Sequence, residues 1–136
     1  PSFFSLFSRA RISVKTRLGV EDEAEFGRLL DIYARYPICE LTVHARVRRD
    51  MYRLPVRPCG YALACERLSA PLCYNGDLFT PEDARKVTER FPVTHALMLG
   101  RGLMANPALA REIQGGAPAS REELLRFHDM VYAGCA

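Results

Sequence analysis

A chain of 136 residues with 49% hydrophobic and 26% charged side chains can form one domain with a real core, and its balance excludes a disordered segment or a coiled coil. A net charge of +3 permits an anionic partner without requiring one. No window approaches the roughly 18 apolar residues of a membrane span, and the opening PSFFSLFSRA is too short and broken for a secretory signal, so a cytoplasmic protein without membrane attachment is expected.

In chain order, RISVKTR (Arg11 to Arg17) reads as a strand, and the next segment, Asp22 to Tyr36, places Phe26, Leu29, Leu30 and Tyr33 at helical spacing. ELTVH (Glu40 to His44) is the second strand. A polar loop, ARVRRDMYRLPVRPCG, separates it from a short helix over Tyr61 to Leu68. APLCYNGD supplies the third strand, after which Thr80 as N-cap, Pro81 at the first helical position and Asp83 in a capping box open a helix to about Arg90. HALMLGRG is the fourth strand. Asn106 and Pro107 start a helix through Ile113, QGGAPAS reads as a linker, and Ser120 with Glu123 caps a last helix to about Val131.

Four strand-plus-helix units, spaced roughly 25 to 31 residues apart, predict an α/β fold with a parallel sheet, because each crossover lays a helix on the sheet. A flavodoxin-like or Rossmann sheet and half of an eight-unit TIM barrel both satisfy this pattern. The distinctive residues sit at strand carboxyl ends: Lys15 and Arg17, His44 and Arg46, Asn75 to Asp77, Gly100 and Arg101. That placement is how barrel enzymes build sites, and no G-x-G-x-x-G follows the first strand, so about the last four units of a (β/α)8 barrel are predicted. Glycine turns allow close backbone approach to a phosphate, which makes NGD and GRG candidates for the phosphate loops after barrel strands 7 and 8, with Arg101 as a charge-assisted clamp.

The five cysteines, Cys39, Cys59, Cys65, Cys73 and Cys135, are odd in number and include no C-x-x-C pair. No zinc site, no other metal and no disulfide framework is expected, and the thiols read as mostly structural. The chain begins at Pro1 without a methionine, which reads as a piece of something longer. Arg46, Arg48, Arg49 and Arg53 with Tyr52 among them form a loop suited to phosphate contact and base stacking.

The series SVKTRLG (Ser13 to Gly19), LTVHAR, YNGD and LMLGRGLMANP, in this order and spacing, resembles the C-terminal half of the barrel of tRNA-dihydrouridine synthases, over about Ile12 to Ile113. The resemblance implies a TIM barrel holding FMN, reduced by NADPH or NADH, that reduces the C5–C6 bond of a uridine in tRNA. It implies that Lys15 and His44 contact the flavin, and that Asn75, Gly76, Asp77, Gly100 and Arg101 hold its phosphate. Arg17 and Arg46 match recurrent basic positions near the site, where support of the flavin and contact with RNA both fit, and with Arg48, Arg49, Tyr52 and Arg53 they are the candidate RNA contacts.

The family's catalytic cysteine lies in an earlier strand-end loop; no cysteine matches it, so no catalytic residue is assigned. Ala45 stands where the family has glycine after its histidine. The expected organisation is a partial barrel over 1–113, a linker over 114–119, and the start of a helical RNA-binding region over 120–136. Four strands alone would leave two open edges and an exposed apolar interior, so pairing with a missing N-terminal half, or self-association, is expected. The other readings are a different FMN- or phosphate-binding barrel oxidoreductase and a non-catalytic RNA-binding remnant.

Overall fold

The computed structural model describes residues 10–135, and the expected alternation of strand and helix runs through them; the opening segment over 1–9 lies outside the described residues. The elements are β1 (Ser13–Arg17), a 3-10 turn (Glu23–Glu25), α1 (Phe26–Tyr33), β2 (Glu40–His44), α2 (Pro58–Arg67), β3 (Leu72–Asn75), α3 (Pro81–Arg90), β4 (Thr94–Met98), α4 (Arg101–Ala105), α5 (Leu109–Ile113) and α6 (Arg121–Cys135).

All three strand pairings are parallel, in the order β1-β2-β3-β4. A doubly wound sheet reverses its strand order at a switch point, whereas successive neighbours in sequence order are successive units of a barrel. The expected fold class therefore holds.

Several boundaries differ from the sequence expectation, each for a local reason. The helix expected from Asp22 begins as a 3-10 turn because the Glu25 carboxylate folds back to accept from the N–H groups of Asp22, Glu21 and Val20, at 2.8, 2.8 and 3.1 Å. Those hydrogen bonds, the Asp22 one foremost, hold the Glu25 carboxyl below the usual carboxylate range. α2 starts at Pro58 rather than Tyr61, with the proline at the first turn, where its missing N–H costs nothing. The helix expected from Asn106 starts at Leu109, because Asn106 instead caps the turn by accepting from the Ala108 N–H at 3.0 Å. RGLMA forms a short helix, α4, that was not expected. Both predicted capping boxes are present: Asp83 N–H donates to Thr80 Oγ1 at 3.1 Å while Thr80 N–H donates to Asp83 Oδ2 at 3.0 Å, and Ser120 and Glu123 exchange the equivalent pair at 3.2 and 2.8 Å.

The chain forms two compact units. One holds the chain up to Gly76 together with Thr88–Met98; the other holds Asp77–Val87 and the chain from Leu99 onward. In the first, alternate strand residues Val14, Leu41, Val43, Leu72, Tyr74 and Leu97 share one face of the sheet. Leu41 and Val43 are fully buried, as are Phe26, Tyr61 and Ala64 from the helices. Tyr61 lies at the centre of this core, edge-on to Tyr74 at 4.9 Å and to Phe91 at 5.1 Å, with its hydroxyl 3.1 Å from Thr94 Oγ1. Burial pushes the Tyr61 phenol up to about 12.

The opposite face, in the same register, carries Ser13, Lys15 and Arg17, then Glu40, Thr42 and His44, then Cys73 and Asn75, then Ala96 and Met98. An apolar interior was expected on this face. It is mostly polar instead.

In the second unit Leu78 and Leu109 are buried, and Gly102 lies so close to the Leu78 carbonyl that a Cβ would overlap it. The 114–119 segment is held locally: Arg111 donates to the carbonyls of Ala117 and Pro118 and to Glu123, the last through two bonds of 2.9 and 3.1 Å. α6 buries none of its residues. No helix among the described residues is long and apolar enough to cross a membrane.

Candidate functional site

Parallel pairing brings the carboxyl ends of neighbouring strands into one row, since Arg17 pairs with His44 and His44 with Asn75. Lys15, one pleat earlier, pairs with Thr42. Lys15 is exposed, and partial burial and then the Arg17 charge pull its ammonium below the ordinary lysine value. Asn75 donates through Nδ2 to the Met98 carbonyl at 2.7 Å, which ties the end of β3 to the end of β4.

His44 is 4% exposed. Its ring lies 5.9 Å from that of Tyr52, and its Nε2 is 3.2 Å from Arg46 Nη1. Beside it, Gly76 has φ +137°, a conformation that side chains rarely adopt. A Cβ there would come within 2.7 Å of Val56 Cγ1 and 3.4 Å of His44 Cδ2, so this turn has room for glycine only.

The loop after β2 folds over these strand ends, held there by Arg46 from the loop and Arg17 from β1, both expected as ligand contacts. Arg46 is 2% exposed and donates through Nε to the Leu54 carbonyl. Arg17 donates to the carbonyls of Val47 and Met51, at 3.0 and 3.2 Å, and lies over the Tyr52 ring at 5.7 Å. Backbone bonds from Leu18 to Arg46 and from Arg48 and Arg49 to Gly19 and Val20 add to the clamp.

Asp50 was not anticipated from the sequence. Its carboxylate is buried, 2.9 Å from Arg57 Nη1, and accepts from the Val47 N–H. Its signal was a single acid in a run of arginines, RVRRD. Arg48, Arg49, Tyr52 and Arg53 are exposed on the same loop, and Arg49 reaches Glu21 at 3.4 Å.

In the second unit, Arg101 donates through Nη2 to Asp77 Oδ1 at 2.7 Å and lies over the Phe79 ring at 5.4 Å. Asp77 has φ 48°, which aspartate tolerates better than most side chains. Gly100 is exposed, and a Cβ there would meet nothing within 4 Å. The helix that follows, α4, has five residues and brings little dipole to the turn.

All five cysteines are free: Cys73 is buried, Cys39 and Cys65 are half-buried, and Cys59 and Cys135 are exposed. Burial pushes the Cys65 and Cys73 thiols up, the reverse of what a reactive thiolate needs.

Comparison with known proteins decides the family. The profile described as dihydrouridine synthase (Dus) matches residues 8–132. The chain belongs to the dihydrouridine synthase family. It is 35% identical over 104 residues to a protein of Shewanella oneidensis named tRNA-dihydrouridine synthase B, covering 76% of this chain and 32% of that protein. It is 31% identical over 103 residues to a tRNA-dihydrouridine(16) synthase of Neisseria meningitidis serogroup B, and 29% identical over 126 residues to a probable tRNA-dihydrouridine synthase 2 of Bacillus subtilis. These alignments cover 31% and 38% of those two proteins. The chain thus spans about a third of the length of the curated relatives it matches.

The residues present suit the flavin that the family implies. A ring system that gains negative charge on reduction calls for a cation and N–H donors, and β1 to β3 present Lys15 and His44 beside a turn stripped of side chain at Gly76. A phosphate calls for a cation beside open backbone, and the second unit offers Arg101 next to Gly100.

Proposed function

We propose that this chain forms the flavin-binding part of an enzyme that reduces the C5–C6 bond of uridine in tRNA to dihydrouridine, with FMN bound and NADPH or NADH as reductant. The observation that supports this best is the row of Lys15, His44 and Asn75 on one face of the parallel sheet, ending in the glycine turn at Gly76. FMN supplies hydride transfer between the nicotinamide and the uracil ring.

The chain's own part is binding and electrostatics. Lys15 offsets negative charge on the ring system, and His44 contacts the ring and ribityl chain. The resemblance assigns the phosphate to Asn75, Gly76, Asp77, Gly100 and Arg101. The catalytic acid comes from residues outside this chain, as do the strands that pair with the outer edges of β1 and β4, supplied by the rest of the barrel or by a second copy.

The tRNA contacts are Arg48, Arg49, Tyr52 and Arg53, which are exposed. Arg17 and Arg46 contribute by shaping the loop that carries them. The barrel occupies 1–113, with 114–119 leading into a helical RNA-binding region from 120. A cytoplasmic setting follows from a tRNA substrate.

The test is a titration of FMN fluorescence quenching with the protein, with Lys15→Ala and Arg101→Ala as variants, followed by mass analysis of unmodified tRNA incubated with the full-length protein and NADPH. Saturable quenching weakened in both variants, together with a two-dalton gain on uridine, is expected. RNA affinity with a steep salt slope but no flavin binding would replace this reading with a non-catalytic RNA-binding protein. Flavin binding without uridine reduction would point to a different FMN oxidoreductase.

A further inference from the structure

We propose that Phe79 is a positioning residue that sets the plane of the Arg101 guanidinium. Phe79 is a large apolar side chain left 40% exposed in the turn after β3, where burial alone gives it little reason to be aromatic. What it touches gives one. Arg101 Cζ lies over the ring, 5.4 Å from its centroid, within the range at which a guanidinium is attracted to an aromatic face.

The ring and the Asp77 carboxylate act on the guanidinium in different directions. A guanidinium donates within its own plane, so the 2.7 Å bond from Nη2 to Asp77 Oδ1 aims the group, whereas a ring against its face resists tilting about that bond. The ring adds to the polar bonds of the guanidinium and does not stand in for them. Both partners are anchored through backbone. The Phe79 N–H donates to Asp83 Oδ2 at 3.1 Å, which ties the residue to the capping box of α3. Gly102, the neighbour of Arg101, lies against the carbonyl of Leu78, the neighbour of Phe79, with no room for a Cβ, and this fixes the spacing of the two segments.

The consequence for binding rests on the reading of Arg101 as a contact to the flavin phosphate. A long cationic side chain that is already turned toward its anion gives up less conformational freedom on binding, so the preset plane strengthens the phosphate contact without adding a bond to it. Phe79 acts only through Arg101.

The test first reads the guanidinium itself, by NMR of the Arg101 Nε–H group in flavin-free protein, with the signal assigned by its loss in Arg101→Lys. The wild type is expected to show a ring-current shift and slowed rotation about the Nε–Cζ bond, both lost in Phe79→Leu and kept in Phe79→Tyr. FMN binding is then expected to weaken about two- to fivefold in Phe79→Leu, to recover in Phe79→Tyr, and to be unaffected by Phe79→Leu once Arg101 is alanine. A wild-type signal without ring-current shift or slowed rotation overturns the proposal, and it does so even if Phe79→Leu does not fold. Equal weakening of FMN binding by Phe79→Leu with and without Arg101 also overturns it, since a merely structural role would be additive. Failure of the wild type to bind FMN would sink the flavin reading alone, because the spectra are read without flavin.

Discussion

Arg101 Nη2 stands 2.7 Å from Asp77 Oδ1, which aims the guanidinium before any ligand arrives. With the two side chains 45% and 29% exposed, the pair contributes only about 0–1 kcal/mol to stability. Arg101→Ala should therefore leave the urea midpoint almost unchanged while weakening FMN binding by roughly tenfold, the scale of one charge-assisted hydrogen bond. If the variant loses stability and keeps its flavin affinity, Arg101 is a structural residue and the phosphate assignment is wrong.

Gly76 is constrained in two ways, by its φ of +137° and by Val56 Cγ1, which lies 2.7 Å from where a Cβ would sit. Gly76→Ala should cost about 2–3 kcal/mol, combining backbone strain with the clash. Adding Val56→Ala should recover only the steric share. Equilibrium denaturation of the two single variants and the double variant measures this split, and full recovery in the double variant would mean that the backbone conformation carries no strain.

Asp50 is the buried member of an ion pair whose other member, Arg57, is 31% exposed. Asp50→Ala should destabilise the protein by about 2 kcal/mol, below the usual range for breaking a fully buried pair because Arg57 can turn to water. The larger effect should be local. Amide exchange over residues 45–57 should accelerate more than exchange in β2, and uniform acceleration across both would refute a loop-specific clamp.

Glu123 is held at about 2, first by the hydrogen bond from Arg111 and then by the Ser120 N–H, against an ordinary value of 4.5. A depressed folded-state value gives stabilisation that is present above about 4.5 and lost as pH falls toward 2. The start of α6 should accordingly fray across that window. Glu123→Gln keeps a side chain that can complete the box but loses the Arg111 ion pair, and should show no change across that window, as read by the chemical shifts of residues 120–124.

Arg48, Arg49 and Arg53 project from a loop that Arg17 and Arg46 hold from within. Replacing the three exposed arginines by alanine should weaken tRNA binding and flatten its salt dependence by about one unit for each phosphate no longer neutralised. Arg17→Met should act differently, by loosening the loop. Equal salt slopes for the triple variant and the wild type would remove this loop from the RNA path.

Periodicity and capping chemistry made the four units legible, because a strand's alternation and a helix's first turn are written in neighbouring residues. Thr80 with Asp83 and Ser120 with Glu123 formed the expected boxes for that reason. Local rules failed where a side chain competed with the helix, as Glu25 does at the start of α1 and Asn106 before α5. The polar inner face was written in the alternation of Lys15, Thr42 and His44, but it became visible only once parallel register set them side by side.

By itself, the sequence determined the order of the units, the strand-end placement of Lys15, His44, Asn75 and Arg101, and the family, since each depends on residue type at fixed spacing. Only the tertiary structure decided which charges face outward. Arg17 bonds to a carbonyl 30 positions away, Arg46 turns inward to Leu54 and His44, and Asp50 is buried against Arg57. The physical reason is that a long side chain goes to whichever acceptor lacks a partner, and the positions of those acceptors are set by packing rather than by any pattern along the chain.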